Sequence, residues 1–170
     1  MSEIVLYSDG TISDYTLGGE RMTKEYSSQE MRRFSYLVGE TDALYHALAR
    51  RLGLSDSVMG LLFVLCDEGG ACPLRLVLRR SGLSKQTVNS ALRRLEAEGA
   101  VYLEPLGRGK RVCLTEAGRA LAEATVVRVM DAENAVLAAW PEEDVESYLR
   151  LTERYFVDLR EKTKLIGRGQ

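Results

Sequence analysis

Residues 83–99 constrain the fold of this chain more than any other part of the sequence. Their apolar positions recur at i, i+3, i+4 and i+7, the spacing of one face of an α-helix, and these are Val88, Ala91, Leu92 and Leu95. At about 100° per residue, Gln86, Ser90 and Arg93 point away from that stripe, with Asn89 and Arg94 on its flanks. The segment therefore predicts a helix with one buried face and one outward face of hydrogen-bonding and basic side chains, which suits the major groove of DNA.

A strand-like pair of runs follows that helix. Residues 100–105 and 112–114 are the two runs, and residues 106–111 form a tight basic turn between them. Upstream, Ser84 is placed to cap the helix, and a short helix is predicted at residues 74–80, between Pro73 and Gly82. Two helices joined by a turn and followed by a hairpin form a winged helix-turn-helix. The predicted fold class is therefore mainly α with a small β-hairpin wing.

Long amphipathic helices flank this unit on both sides. A capping box at residues 27–30 opens a helix that ends at Gly53, and a buried second helix follows Ser55. After the hairpin, Thr115 caps a helix that continues to Trp140, and a final helix with a near-heptad apolar seam follows Pro141. These stripes could fold back on their own domain. They are, however, longer than the small central core can cover, so their burial favours pairing with a second subunit.

The predicted organisation has three parts. Residues 54–115 form the winged helix-turn-helix domain, while residues 27–53 and 116–166 form a helical dimerisation region from the N- and C-terminal helices. Residues 1–26 form an N-terminal arm in which Asp9-Gly10 separates two strand-like runs, as in a hairpin turn. Because a lone two-stranded hairpin is marginal in water, this arm is expected to be partly ordered, and the alternatives are that it packs on the body, pairs with another element or is disordered.

The charge of the chain is concentrated in the same unit. The formal net charge is only −2, but residues 75–111 contain nine basic and three acidic residues. A basic cluster is often no more than a solvated face. Here the basic residues coincide with the outward helix and the hairpin, which favours contact with the phosphates of nucleic acid.

Other classes of protein lack support in the sequence. Cys66, Cys72 and Cys113 have unrelated spacings that match neither a metal site nor a disulfide framework, and redox sensing by one of them is the minor alternative. No Ser/His/Asp arrangement or nucleotide loop is found, so neither an enzyme nor a cofactor is expected. Without a signal peptide or a long apolar run, the protein is expected to be cytoplasmic, with no membrane partner.

With these elements in order, residues 30–164 resemble the MarR family of bacterial transcriptional regulators. The most specific parts are residues 82–101, GLSKQTVNSALRRLEAEGAV, and residues 114–118, LTEAG. The resemblance implies a homodimer whose first and last helices interlock. It also implies binding to a pseudo-palindromic operator in double-stranded DNA, usually as a repressor, with release by a small phenolic or other effector. The chain departs from the family at the hairpin, because its turn lacks the usual Asp before a pair of arginines.

The candidate DNA contacts fall into base readers and phosphate contacts. Gln86 and Asn89 can pair bidentately with adenine, and Arg93 with guanine. The expected phosphate contacts on the helix are Ser84, Lys85, Thr87, Ser90 and Arg94, and those on the wing are Arg108, Lys110 and Arg111. For each of them the alternative is a solvated surface residue.

A cavity for an effector is expected, from the resemblance, between the dimerisation helices and the winged helix. The weak candidates for its lining are Tyr36, Tyr45, His46, Met59 and Phe63. Aromatic and Met residues at helical spacing are more often plain core, and a single histidine cannot build a metal site. The alternative function is a protein-interaction module that keeps the winged helix without binding DNA.

Overall fold

The computed structural model describes residues 27–164 and 166, so the predicted N-terminal arm lies outside the described residues. These residues fall into two units, 27–42 and 43–166, of which the first contains the N-terminal part of the first helix. In chain order the elements are α1 (Gln29–Arg51), α2 (Asp56–Asp67), β1 (Ala71–Pro73), α3 (Leu74–Arg80), α4 (Lys85–Ala97), β2 (Val101–Leu106), β3 (Gly109–Leu114), α5 (Glu116–Ala124), α6 (Val126–Ala138) and α7 (Glu142–Thr163). The predicted fold class is confirmed: within residues 27–164 helices dominate, with one small antiparallel sheet.

The core is built on helix α2, whose apolar residues point in nearly every direction. Leu61, Leu62 and Leu65 are completely buried, and the stripe of α4 packs into the same cluster. All four residues predicted for that stripe are buried: Val88, Ala91, Leu92 and Leu95. The helical spacing therefore identified both the helix and the face that it buries.

The sheet has three strands in the order β1-β3-β2, so the central strand is the last of the three in sequence. For this sheet the sequence predicted only the two strands of the hairpin, because β1 is three residues long and ends in Pro73. The hairpin is also tighter than predicted. Strand β3 begins at Gly109, paired with Leu106, which leaves a two-residue turn of Gly107 and Arg108. Gly107 has a φ of 56°, the conformation that such a turn requires of its first residue.

The helix predicted between the hairpin and Trp140 is divided in two. Helix α5 ends at Ala124 and α6 begins at Val126, with the intervening Thr125 at φ −126° and ψ −90°. The Thr125 hydroxyl donates a 2.6 Å hydrogen bond to the carbonyl of Leu121, and the side chain is buried. The apolar stripe continues across this break, which is why sequence spacing alone did not locate it.

The LTEAG segment connects the wing to α5 through backbone contacts. The Thr115 hydroxyl donates to the carbonyl of Gly99 at 2.7 Å and accepts from the backbone N–H of Gly118 at 3.0 Å, so that it caps α5. A Cβ atom at Gly118 would lie 1.9 Å from the carbonyl oxygen of Ala100. Only glycine therefore allows the first turn of α5 to approach the start of β2 this closely.

We expect Gly118→Ala to destabilise the fold by about 1–3 kcal/mol, because the helix must move away from β2 to relieve the overlap. The measurement is the urea unfolding midpoint. Gly60→Ala is the matched control, since Gly60 lies within α2 and a Cβ there meets nothing within 4 Å. A helical Gly→Ala change without a clash is expected to stabilise by about 0.5–1 kcal/mol. Similar effects from the two substitutions would contradict the packing role of Gly118.

Candidate nucleic-acid interface

Helix α4 presents the predicted base-reading residues on its outward face. The backbone N–H of Thr87 donates to Ser84 Oγ at 3.1 Å, and the two hydroxyls are hydrogen-bonded at 2.8 Å, so Ser84 caps the helix as predicted. Gln86 and Arg93 are exposed, whereas Asn89 is half-buried at the edge of the stripe. Either hydroxyl can be the donor in this bond, and the Thr87 hydroxyl is able to donate to a phosphate oxygen when Ser84 is the donor.

The wing carries its three cations at different places. Arg108 stands in the two-residue turn, while Lys110 and Arg111 belong to β3, where the sequence had placed them in the turn. Arg111 lies on the central strand, in register with Glu104 of β2 and Pro73 of β1. Its guanidinium Nη1 is 3.3 Å from Glu104 Oε1. The acid beside Arg111 is therefore Glu104, which lies on the neighbouring strand β2 and not in the turn.

A groove of about 520 Å³ lies where α3, the start of α4 and the wing meet. We call it the basic groove, and its lining consists of Pro73, Leu74, Arg75, Leu78, Lys85, Leu106, Arg108, Gly109 and Lys110. The lining contains four cations and no acidic residue over a largely apolar floor. Sequence reasoning did not name Arg75 as a contact, although it opens the basic segment at residues 75–111.

Ion pairing divides the nine cations of residues 75–111 into two groups. Three are paired: Arg80 with Asp67 at 2.7 Å and Glu68 at 2.5 Å, Arg94 with Glu98 at 2.8 Å, and Arg111 with Glu104. The hydrogen bond to Glu68 raises the pKa of Arg80 above its usual value, so Arg80 joins the end of α3 to the end of α2. Within the part of the chain that the structure describes, the other six form no ion pair, namely Arg75, Arg79, Lys85, Arg93, Arg108 and Lys110.

The five residues predicted to line an effector cavity occupy varied environments. Met59 is in the core at 4 % exposure, Phe63 is half-buried against it, and Tyr36 is exposed on α1. His46 is also exposed, with its Nδ1 atom 2.8 Å from Asp56 Oδ2. The Tyr45 hydroxyl donates to Glu133 on α6, and burial together with that hydrogen bond raises the pKa of Tyr45 to about 12. None of the five lines the basic groove, and their effector role stays a prediction.

The three cysteines are free thiols within the winged-helix unit. Cys72 and Cys113 are buried in neighbouring strands, and Cys66 is half-buried at the end of α2. Burial raises the pKa of the thiols of Cys66 and Cys72. A raised pKa disfavours the thiolate, which is the reactive form, so these two sites have the opposite character to an oxidant-sensing cysteine.

Comparison with known proteins supports the winged-helix architecture described above. Residues 47–112 match the model of the MarR family, and this segment runs from the end of α1 through the buried helix and the helix-turn-helix into β3 of the wing. No match to the sequence was found among curated proteins. The resemblance to the MarR family is thereby confirmed for the segment that carries the candidate interface. Along the described residues, no helix combines the length and the apolar character needed to cross a membrane.

Solved structures with this fold include the following three. A MarR family transcriptional regulator from Silicibacter pomeroyi is 21 % identical, with a TM-score of 0.63 over 76 % of this chain and 89 % of that one. A MarR family regulator from Neisseria meningitidis is 18 % identical, with a TM-score of 0.66 over 80 % and 96 %. BpsR from Bordetella bronchiseptica, whose DNA binding is regulated by 6-hydroxynicotinic acid, is 21 % identical, with a TM-score of 0.58 over 78 % and 97 %. At these identities the likeness establishes the fold.

We expect Tyr45→Phe to lower the free energy of unfolding by about 1 kcal/mol at neutral pH, because the hydrogen bond to Glu133 is lost. Since the pKa of Tyr45 is raised from 10.0 to about 12, the stability that its neutral form contributes is complete below pH 10.0 and is lost as the pH rises towards 12. The difference between wild type and variant in urea unfolding should shrink over that range. Tyr36→Phe, at an exposed site, is the control, and equal losses from both changes would contradict this role.

Proposed function

We propose that this chain, with its MarR-type winged helix, is a regulator of transcription that binds double-stranded DNA sequence-specifically as a homodimer. The observation that carries the proposal is that two features meet at α4, where Lys85 at the start of the helix lines the basic groove. The outward face of α4 bears groups that can read bases, and the six cations without an ion pair in the described chain lie on α3, α4 and the wing. Such a surface offers base readout and phosphate contact together.

The proposed docking inserts α4 into the major groove. Gln86 and Arg93, exposed on its outward face, reach base edges, while Asn89 contributes from the flank of the helix. The phosphates on either side of the major groove are contacted by five residues of the helix and its cap, namely Ser84, Lys85, Thr87, Ser90 and Arg94. Arg94 does so at the expense of its ion pair with Glu98, which is exposed and therefore weak.

The basic groove supports a second line of phosphate contacts. Arg75 and Lys85 belong to the helices, and Arg108 and Lys110 to the wing, yet all four line one concave surface. A DNA backbone that follows this surface would meet a row of cations with no acid between them. The wing would then extend towards the adjacent minor groove, with Arg108 at its tip.

The dimerisation region is proposed from the exposure of α7. This helix has 22 residues and a length of about 33 Å, and none of its residues is buried. Its apolar seam includes Leu149, exposed at 50 %, and Phe156, exposed at 60 %. An apolar stripe of this length is unfavourable in water, and burial against a second copy gains roughly 25 cal/mol for each Å² removed from solvent. In α1, Leu37 and Val38 are exposed as well.

The regulatory part of the proposal is repression relieved by a ligand. Two helix-turn-helix units related by a two-fold axis match a pseudo-palindromic operator with half-sites about one helical turn apart. A dimer seated there would block transcription. The aromatic acid that regulates BpsR is a precedent for the chemical class of effector, a small aromatic or phenolic molecule.

DNA binding is tested by fluorescence anisotropy with a labelled mixed-sequence duplex over a series of salt concentrations. We expect tight binding in dilute buffer and a steep salt dependence. Lys110→Gln should weaken binding several-fold and reduce the salt slope by about 0.9, the value of one phosphate contact. Arg128→Gln is the control, because Arg128 is exposed on α6, outside the basic groove and the wing. Failure of the wild-type protein to bind duplex DNA in dilute buffer would reject the proposal and favour a protein-interaction module.

Dimerisation is tested by light scattering at micromolar protein concentration. We expect wild type to be a dimer and Leu149→Glu to shift it towards monomer, because the substitution places a charge in the apolar seam of α7. Arg150→Glu introduces the same side chain at the next position, about 100° further round the helix and outside the seam, and should leave the dimer intact. A wild-type monomer under these conditions, or dissociation by both changes alike, would contradict this assignment of the interface.

A further inference from the structure

The basic groove contains two chemically different kinds of cation. Arg75 on α3 and Arg108 in the turn of the wing carry guanidinium groups, whereas Lys85 on α4 and Lys110 on β3 carry primary amines. A guanidinium stays protonated in proteins and is no nucleophile, but a lysine amine that loses its proton is one. The groove therefore combines groups that bind anions with groups that can be modified covalently.

The distribution of lysine in the chain singles out this groove. The sequence has only five lysines among its 23 basic residues, and residues 75–111 contain two of them. Both of these, Lys85 and Lys110, line the basic groove. They are exposed and form no ion pair within residues 27–164, whereas Lys164 is paired with Glu161 at 2.6 Å. Their amines are therefore accessible to a reagent that enters the groove.

The charge and the lining of the groove fit a small molecule with a phosphate at one end and a short apolar group at the other. Four cations and no carboxylate line about 520 Å³ of concave space, and Leu74, Leu78 and Leu106 contribute an apolar surface. The planar fork of an arginine matches the oxygens of a phosphate. A small acyl phosphate has both parts. When its phosphate is bound there, its acyl group is confined to the surface that the two amines share, and such proximity accelerates reaction.

We infer that Lys85 and Lys110 are sites of acylation by small acyl phosphates, whose phosphate group is bound by the arginines of the basic groove. In this reaction the neutral amine attacks the carbonyl carbon of the acyl phosphate. A C–N bond forms, the C–O bond to the phosphate breaks, and inorganic phosphate leaves with the bonding electron pair. The amine proton passes to solvent, so the product is a neutral amide and no oxidant or reductant is needed.

Acylation would couple the groove to the supply of the acyl donor. Each modified lysine loses its positive charge and can no longer contact a DNA phosphate as a cation. For the proposed function, on which this consequence alone rests, one acylated lysine should reduce the salt slope of DNA binding by about 0.9. The modification itself does not depend on DNA binding.

The modification is tested on the purified protein without DNA. The protein is treated with acetyl phosphate, and the rate of acetylation at each lysine is measured by mass spectrometry. N-hydroxysuccinimide acetate, an acyl donor without a phosphate, reports the intrinsic reactivity of each amine in a parallel reaction. We expect the ratio of the two rates to be higher at Lys85 and Lys110 than at Lys162, which is exposed at the end of α7. Inorganic phosphate should slow only the reaction of the two groove lysines with acetyl phosphate.

Two arginines of α3 provide matched variants. Arg75 and Arg79 are both exposed and lack an ion pair within the described chain, but only Arg75 lines the groove. Arg75→Gln should lower the ratio at both groove lysines by about two- to fivefold, the range expected for the loss of one exposed charge contact. Arg79→Gln should leave it unchanged.

Equal ratios at Lys85, Lys110 and Lys162 would overturn the inference. So would equal losses from Arg75→Gln and Arg79→Gln, which would indicate a general attraction of the acyl phosphate to positive charge. A change in folding or accessibility would alter the reaction with N-hydroxysuccinimide acetate as well, so the ratio corrects for it. Because no DNA is present, failure of this inference is distinguishable from failure of the proposed function.

Discussion

Burial of one stripe of α4 against α2 is the interaction on which the candidate interface depends. Val88, Leu92 and Leu95 are almost completely inaccessible, and their burial fixes the rotation of the helix about its own axis. Gln86 and Arg93 point outward as a consequence. Rotation of α4 by one residue would bury a polar side chain without a partner, which is costly, so the outward face is specified as firmly as the core.

Ion pairing further distinguishes the basic residues that are carried on this packed core. The basic residues of the segment do not act as a uniform patch, because carboxylates hold Arg80, Arg94 and Arg111 while the remaining six cations form no ion pair in the described chain. Arg80 joins two helices and so has a structural role. The cations of the basic groove, by contrast, come from three elements and meet only in the folded protein. The folded protein therefore has two kinds of cation in this segment, those that form ion pairs and those that remain available for phosphate attraction.

Most of the architecture was predictable from the sequence, and the exceptions have physical causes. The helix stripe at Val88, the Ser84 cap and the wing followed from local periodicity and capping chemistry, which act over a few residues. Strand β1 was missed because three residues ending in Pro73 have no period of their own and become a strand only by pairing with β3. The break at Thr125 was missed because the apolar spacing continues through it.

The sequence by itself determined most of the helices, which face of α4 is buried and where positive charge accumulates, because spacing along the chain controls each of these. Only the tertiary structure decided that Arg75 shares a groove with Lys110, that Glu104 lies beside Arg111, and that Gly118 must lack a side chain beside Ala100. These pairs form between elements brought together by folding. Their geometry depends on strand register and on the packing of helices against the sheet, which local sequence patterns do not encode.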